Sequence, residues 1–329
     1  FSKLGRRAIL FGAACGTLPD LDIVLGRSDP WTSLVTHRGY SHSLLVLPLV
    51  ALPLGWLAWR LLGRRGNPKD WMHLAFWALI THPLLDLLTT YGTQLFLPLT
   101  NHRYALDTIG IIDPIYSLPL FFVVAYGLRK KPAPEERARH ARRALTFTTA
   151  YLAIHMLWSG WAHAGFQERL AGLGFEAVAT RTPAPALFPM LRHGVARDAH
   201  GRIAVATIPP WDQEGYPIFM VGSSDTPRIR SALESERGQL LRWFSDSYLS
   251  VREQDDGSLL FEDHRYGRFT DPRLSFFRSL LPSESPPDEI QLRRPREATE
   301  QLDLGAELRA GWGILSGEYP EEEAHPARD

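Results

Sequence analysis

The first half of the chain alternates apolar runs with short polar stretches, and the second half does not. Residues 4–18, 44–62, 71–91, 111–128 and 144–164 are dominated by apolar side chains. The last four are near the roughly 20 residues a helix needs to cross a bilayer core, and 4–18 is shorter. Pro48 and Pro53 fall in 44–62, and Pro114 and Pro119 in 111–128. Membrane helices tolerate such kinks better than soluble ones. Trp56 and Trp59 lie towards the end of one run, and Trp158 and Trp161 towards the end of another, as interfacial aromatics do. The pattern predicts a mainly α fold: a polytopic helical membrane bundle over residues 1–164.

From residue 165 onward charges are scattered throughout. Runs at 175–181, 187–196 and 202–208 are strand-like and punctuated by Gly, Pro and Asp, and 258–269 and 289–294 read as further strands. Residues 227–253 carry apolar residues at helical spacing. The reading is a C-terminal soluble α+β domain over 165–329, with an acidic, disordered tail from 318.

Charge orients this picture. The loops 60–69 and 129–143 are both basic and are separated by two expected spans, so both are expected on the cytoplasmic side. That places the segment before residue 44, the segment 92–110 and the C-terminal domain on the periplasmic face of a bacterial inner membrane, with membrane lipids as partners. Net charge is +0, so no global field calls for nucleic acid. Cys15 is the single cysteine, which excludes a Cys-x-x-Cys metal motif and an intrachain disulfide. Any metal site must use His, Asp and Glu. The sequence opens on Phe1, so a native start is expected ahead of it, and no cleavable signal peptide is visible.

Carboxylates and imidazoles cluster where the apolar pattern breaks. Asp20, Asp22, Asp29, His37 and His42 fall within 18–43, and His82 and Asp86 fall inside the run 71–91. His82 and Asp86 are at i and i+4, so a helix turns both towards one point. Ionisable groups in an apolar run are costly unless something uses them. His37, His42, His82 and Asp86, with Asp20 as a further ligand, are therefore candidates to hold a divalent ion, zinc first. Gly39 permits a sharp turn between the two histidines. Arg38 is placed to stabilise an oxyanion, and Asp22 or Asp113 to serve as general base. Asp29 before Pro30 reads as a turn residue, and Asp113 before Pro114 could also cap a helix.

Taken together, Pro19, Asp20 and Asp22, the stretch His37 to Ser43, His82 and Asp86, Tyr91 to Thr93, and Ile111 to Pro114 resemble the YdjM-like family of bacterial inner-membrane proteins. The resemblance covers about residues 1–165 and implies metal-dependent hydrolysis. Family members begin with a Met-Asp-x-x-Thr-His segment, so the resemblance also implies a histidine ligand ahead of Phe1. The expected function is a membrane metallohydrolase acting on a phosphoester or lipid-linked substrate through a metal-activated water. The alternatives are a non-enzymatic scaffold with a structural metal, and a transporter with a His/Asp proton relay.

Overall fold

A computed structural model of the chain describes residues 4–25, 29–64, 66–129, 132–212, 215–292 and 303–319. The structure divides into two units, Phe1–Met156 and Leu157–Asp329.

In the first unit the apolar runs become helices, with ends set by capping and charge. Helix α1 spans Arg6–Thr17, and two short turns follow, the 3-10 turn Pro19–Leu21 and helix α2, Asp22–Leu25. Helix α3, Pro30–Thr36, has Pro30 in its first turn and Asp29 as N-cap, whose carboxylate accepts from the Trp31 and Thr32 N–H groups. After a 3-10 turn, Tyr40–His42, come α4, Leu47–Leu61, and α5, Pro68–Asp86. Helix α5 opens on a capping box between Asn67 and Asp70. Then come α6, Pro114–Arg129, and α7, Pro134–Gly172, whose residues from Leu157 onward belong to the second unit.

Helices α1, α4 and α5 share a core of Cys15, Leu47, Ala51, Ala75 and Leu79, with Trp71 fully buried further along. Gly55 lets α4 and α5 meet backbone to backbone. A Cβ there would stand 2.4 Å from Met72 Cα and 2.7 Å from the Trp71 carbonyl.

The expected mainly α, polytopic membrane bundle is corrected by this structure. Among the described residues no single helix is long and apolar enough to cross a membrane. Helix α4 has 15 residues and α6 has 16, lengths of roughly 22–24 Å against a hydrocarbon core of about 30 Å. The 19 residues of α5 include Lys69, Asp70, His73, His82 and Asp86. Helix α7 has 39 residues, but its first turns are charged, and Thr, His, Ser and Gly dilute the apolar run that follows. One bent pair, Pro30–His42 with Leu47–Leu61, passes on length and composition together, with a bend of 67°.

The second unit contains two four-stranded antiparallel sheets. One has β1 (Ala177–Arg181), β2 (Arg192–Asp198), β3 (Ile203–Ile208) and β4 (Phe219–Val221) in sequential order. The other has β5 (Leu249–Glu253), β6 (Leu259–Asp263), β7 (Arg278–Leu281) and β8 (Gln291–Leu292), also in order. The single helix expected at 227–253 is two, α8 (Pro227–Glu234) and α9 (Glu236–Phe244), followed by β5. Ser235 ends α8 and caps α9 by accepting from the Gly238 N–H, which is why the helical pattern breaks there. Helix α10, Leu304–Ser316, is capped by Asp303 and ends on Gly317 at φ 93°. Its Glu307 is buried and accepts from the backbone N–H groups of Phe269 and Thr270. The acidic tail expected to be disordered lies, from 320 onward, outside the described residues.

Candidate metal centre

Four side chains from three parts of the first unit converge. Asp20 lies on the turn after α1, His42 ends the turn before α4, and His82 and Asp86 occupy the last turns of α5. One ligand atom from each lies within 4.8 Å of every other. His42 Nε2 is 3.2 Å from His82 Nε2, 3.4 Å from Asp20 Oδ1 and 3.1 Å from Asp86 Oδ2. His82 Nε2 is 3.3 Å from Asp20 Oδ1 and 3.5 Å from Asp86 Oδ2.

The other ring nitrogens fix the tautomers. His82 Nδ1 is 2.7 Å from the Gly16 carbonyl, which only accepts, so Nδ1 carries the proton. Ser41 donates its hydroxyl proton to Asp22, so His42 Nδ1, 2.9 Å from Ser41 Oγ, is the donor of that pair. In neutral rings both Nε2 atoms then present lone pairs to each other and to two carboxylate oxygens. With both rings neutral, the buried Asp86 Oδ2 faces lone pairs and no donor among the described residues. Four acceptors facing one point repel unless a cation lies between them.

A divalent ion fits on distance and charge. Tetrahedral zinc with ligands at about 2.0–2.1 Å separates those ligands by about 3.3 Å. The five separations given above run from 3.1 to 3.5 Å. Asp20, Asp22 and Asp86 bring three negative charges, and Arg38 Nη2, 3.1 Å from Asp86 Oδ1, brings one positive. A doubly charged ion offsets the two negative charges left over. His42 is fully buried, while the Asp20 side chain is 48% exposed, so the centre opens to solvent on one side.

Protons are the competing cation. Burial alone would push His42 and His82 down, but the hydrogen bonds to the carboxylates outweigh it. Asp20, Asp22 and Asp86 raise His42 to about 10, and Asp20 and Asp86 raise His82 to about 9. The hydrogen bonds from His42 and His82 hold Asp20 well below the usual carboxylate range. Asp22 and Asp86 are held there too, against the opposing effect of their own burial.

The remaining sequence candidates surround the quartet or lie elsewhere. His37 is outside it, with Nδ1 2.8 Å from Asp22 Oδ1 and its ring edge on Tyr91. Asp22 is 6% exposed and accepts from His37, the Arg38 N–H and Ser41, so its oxygens are spent on orienting the histidine turn. Arg38 is 4% exposed and its guanidinium reaches Asp86 and Thr89. Asp113 caps α6 through the Tyr116 N–H at 3.1 Å and accepts from the Tyr151 hydroxyl at 2.7 Å, and neither partner belongs to the quartet. The turn expected at Gly39 falls one residue earlier, with Arg38 at φ 59°. Gly39 is needed for space, since a Cβ there would stand 2.8 Å from the Thr36 carbonyl. Ser41 lies in the sequence motif with no role of its own there, and nothing in the sequence singles out Thr89 or the Gly16 carbonyl. Hydroxyls near a motif carry a weak signal, and a backbone carbonyl at a helix end carries none.

The family model for the YdjM inner membrane protein matches residues 2–165. Among curated proteins, the uncharacterized protein YfhP of Bacillus subtilis (strain 168) is 26% identical over 111 residues, covering 32% of this chain and 33% of that protein. The chain thus matches about a third of the length of that relative. No solved structure matches.

Proposed function

Residues 2–165 belong to the YdjM inner membrane protein family, and from that premise we propose that this chain is a metal-dependent hydrolase working beside the membrane. The observation that carries the reading is the convergence of His42, His82, Asp20 and Asp86 on one point, with both Nε2 atoms turned inward. These four residues would hold a divalent ion, zinc being the first candidate from the mixed nitrogen and oxygen donors. When bound, such an ion lowers the pKa of a coordinated water so that hydroxide is available near neutral pH.

The chain's own residues supply the rest. His42 is fixed by Ser41 and Asp22, and His82 by the Gly16 carbonyl, so the nitrogens stay aimed without rearrangement. Asp20, the exposed member, marks the side from which a substrate arrives. The residues beside it in sequence, Leu18, Leu21, Ile23 and Val24, are exposed and apolar, as is Tyr40 near His42. A polar centre with exposed apolar residues close by in the chain suits an amphipathic substrate, a lipid-linked phosphoester or ester.

A second reading is a structural metal in a non-enzymatic scaffold. It is favoured by the number of side chains that converge, since four protein ligands can close a zinc shell. The half-exposed Asp20 favours the catalytic reading, because an exposed carboxylate yields its position to water most easily.

The test is elemental analysis of the purified chain followed by a screen of phosphoester and ester substrates. The hydrolase reading expects about one equivalent of metal or more and activity that a chelator removes. His82→Ala should lose both metal and activity. Full metal retention in His82→Ala would remove the quartet from consideration, and firmly bound metal with no exchangeable water would favour the scaffold.

A further inference from the structure

We propose that Arg38 is the positioning residue of the metal centre, setting the carboxylates on both sides of His42 at once. The inference rests on the metal reading above and goes beyond it by naming what holds the ligands in place. Arg38 has φ 59°, a region that costs a non-glycine residue energy and persists where the surroundings over-determine it. Here the surroundings do so. Its N–H donates to Asp22 Oδ2 at 3.1 Å, and its carbonyl accepts from the Gln94 N–H at 3.0 Å. Asp22 Oδ2 is in turn 3.4 Å from His42 Nδ1. The backbone of Arg38 therefore fixes the carboxylate behind His42.

Its side chain fixes the one in front. Nη2 lies 3.1 Å from Asp86 Oδ1, which leaves Oδ2 of the same carboxylate facing His42 and His82. Nη1 donates to Thr89 Oγ1 at 2.8 Å, and Thr89 donates onward to the Asp86 carbonyl at 2.7 Å. The guanidinium thus holds Asp86 at the end of α5 by its carboxylate directly and by its backbone through Thr89. Tyr91 covers the cation, its ring centre 5.2 Å from Arg38 Cζ. A point-charge ammonium on a flexible stem cannot reproduce a planar fork spread over two acceptors.

Position and charge make opposite predictions. A cation beside a cation site opposes metal binding by electrostatics alone, so if Arg38 acted only as charge, removing it would tighten binding. If it acts by position, removing it loosens binding although the charge is gone. The experiment titrates the chelator-stripped full chain with Co2+, reading affinity and the d–d absorption that reports coordination number. Arg38→Lys, Arg38→Gln and Thr89→Val are compared with the unaltered chain, and circular dichroism checks folding. The expected result is Co2+ binding weakened about tenfold or more in Arg38→Lys, with an altered absorption band. Arg38→Gln should weaken binding in spite of its lost charge, and Thr89→Val should weaken it less. Arg38→Lys with unchanged affinity and band, or Arg38→Gln with tighter binding, overturns the proposal. If the Arg38 variants do not fold, Thr89→Val decides: unchanged affinity and band overturn it, and weakened binding with an altered band upholds it. An unaltered chain that takes up no Co2+ overturns the metal reading itself, and the positioning role with it.

Discussion

His42 and His82 differ from the buried histidines of the second unit in what surrounds them. His193 donates to the His264 carbonyl at 2.8 Å, and His264 Nε2 faces Ser250 Oγ at 2.7 Å. No carboxylate is among those partners, and burial pushes the two rings down to about 4 and about 3. At the quartet the carboxylates reverse the effect and raise both rings above 6.5. The sign of the linkage follows. A raised histidine contributes stability that is fully present below its unfolded pKa and is lost as pH climbs through the folded one. The metal-free chain should therefore lose stability between about pH 7 and 10, as His82 and then His42 give up their protons. The depressed carboxylates act at the other end, contributing above pH 3.8 and losing that contribution as pH falls below it. A bound divalent ion takes the place of the imidazole protons, so the loaded chain should keep its stability across the alkaline range. Urea unfolding with and without chelator at pH 7 and pH 10 measures the difference. An identical alkaline loss in both samples would argue that protons, not metal, are the native occupant.

Among the elements, α5 does the most to assemble the centre, and part of this was legible in the chain. The i, i+4 spacing of His82 and Asp86 is enough to place them on one face, and α5 ends at Asp86. The turn that brings His42 to meet them was only half legible, because the residue in the left-handed region is a buried arginine rather than the neighbouring glycine. The pairing of His37 with Asp22 could not be read at all. Both imidazoles of the stretch 37–42 are expected as ligands from the sequence, and only the chain path shows that His42 faces α5 while His37 turns to Asp22. Membrane spans were over-read for a related reason. An apolar run is longer than the helix it forms, for α4 stops at Leu61 and α6 begins only at Pro114. Gly55, unremarked in the sequence, sets the spacing of α4 and α5. With Met72 Cα 2.4 Å from an added Cβ, Gly55→Ala must push the helix backbones apart. The expected cost is about 1–3 kcal/mol by chemical denaturation. Metal affinity should fall as well, since His42 leads into α4 while His82 and Asp86 ride on α5. An alanine variant with unchanged midpoint and affinity would show that the close approach is dispensable.

Across the whole molecule, the candidate metal ligands and the sheets fall in different units. Asp20, His42, His82 and Asp86 all lie within Phe1–Met156, while both antiparallel sheets lie within Leu157–Asp329. Within the first unit the charge is also sorted along the helices. Arg6 and Arg7 begin α1, Arg60 is in the last turn of α4, Lys69 begins α5 and Arg129 ends α6. The Arg6 side chain donates to the Arg129 carbonyl and that of Arg7 to the Leu62 carbonyl, so these termini are gathered at one end. The quartet sits where α1 and α5 finish, at the other. Because a ligand that binds only the folded state stabilises the part that holds it, metal should act on one unit alone. With free ion at 1,000 times its dissociation constant, the gain is about 4 kcal/mol. Calorimetry of the full chain should show one unfolding transition that moves down on chelation and one that stays. Each unit has its own buried core, Cys15, Ala51, Ala75 and Leu79 in the first and Phe166, Leu170, Ala204 and Ile208 in the second, so each has the means to melt as its own cooperative body. A single transition that shifts as a whole would overturn the expectation that each unit melts on its own.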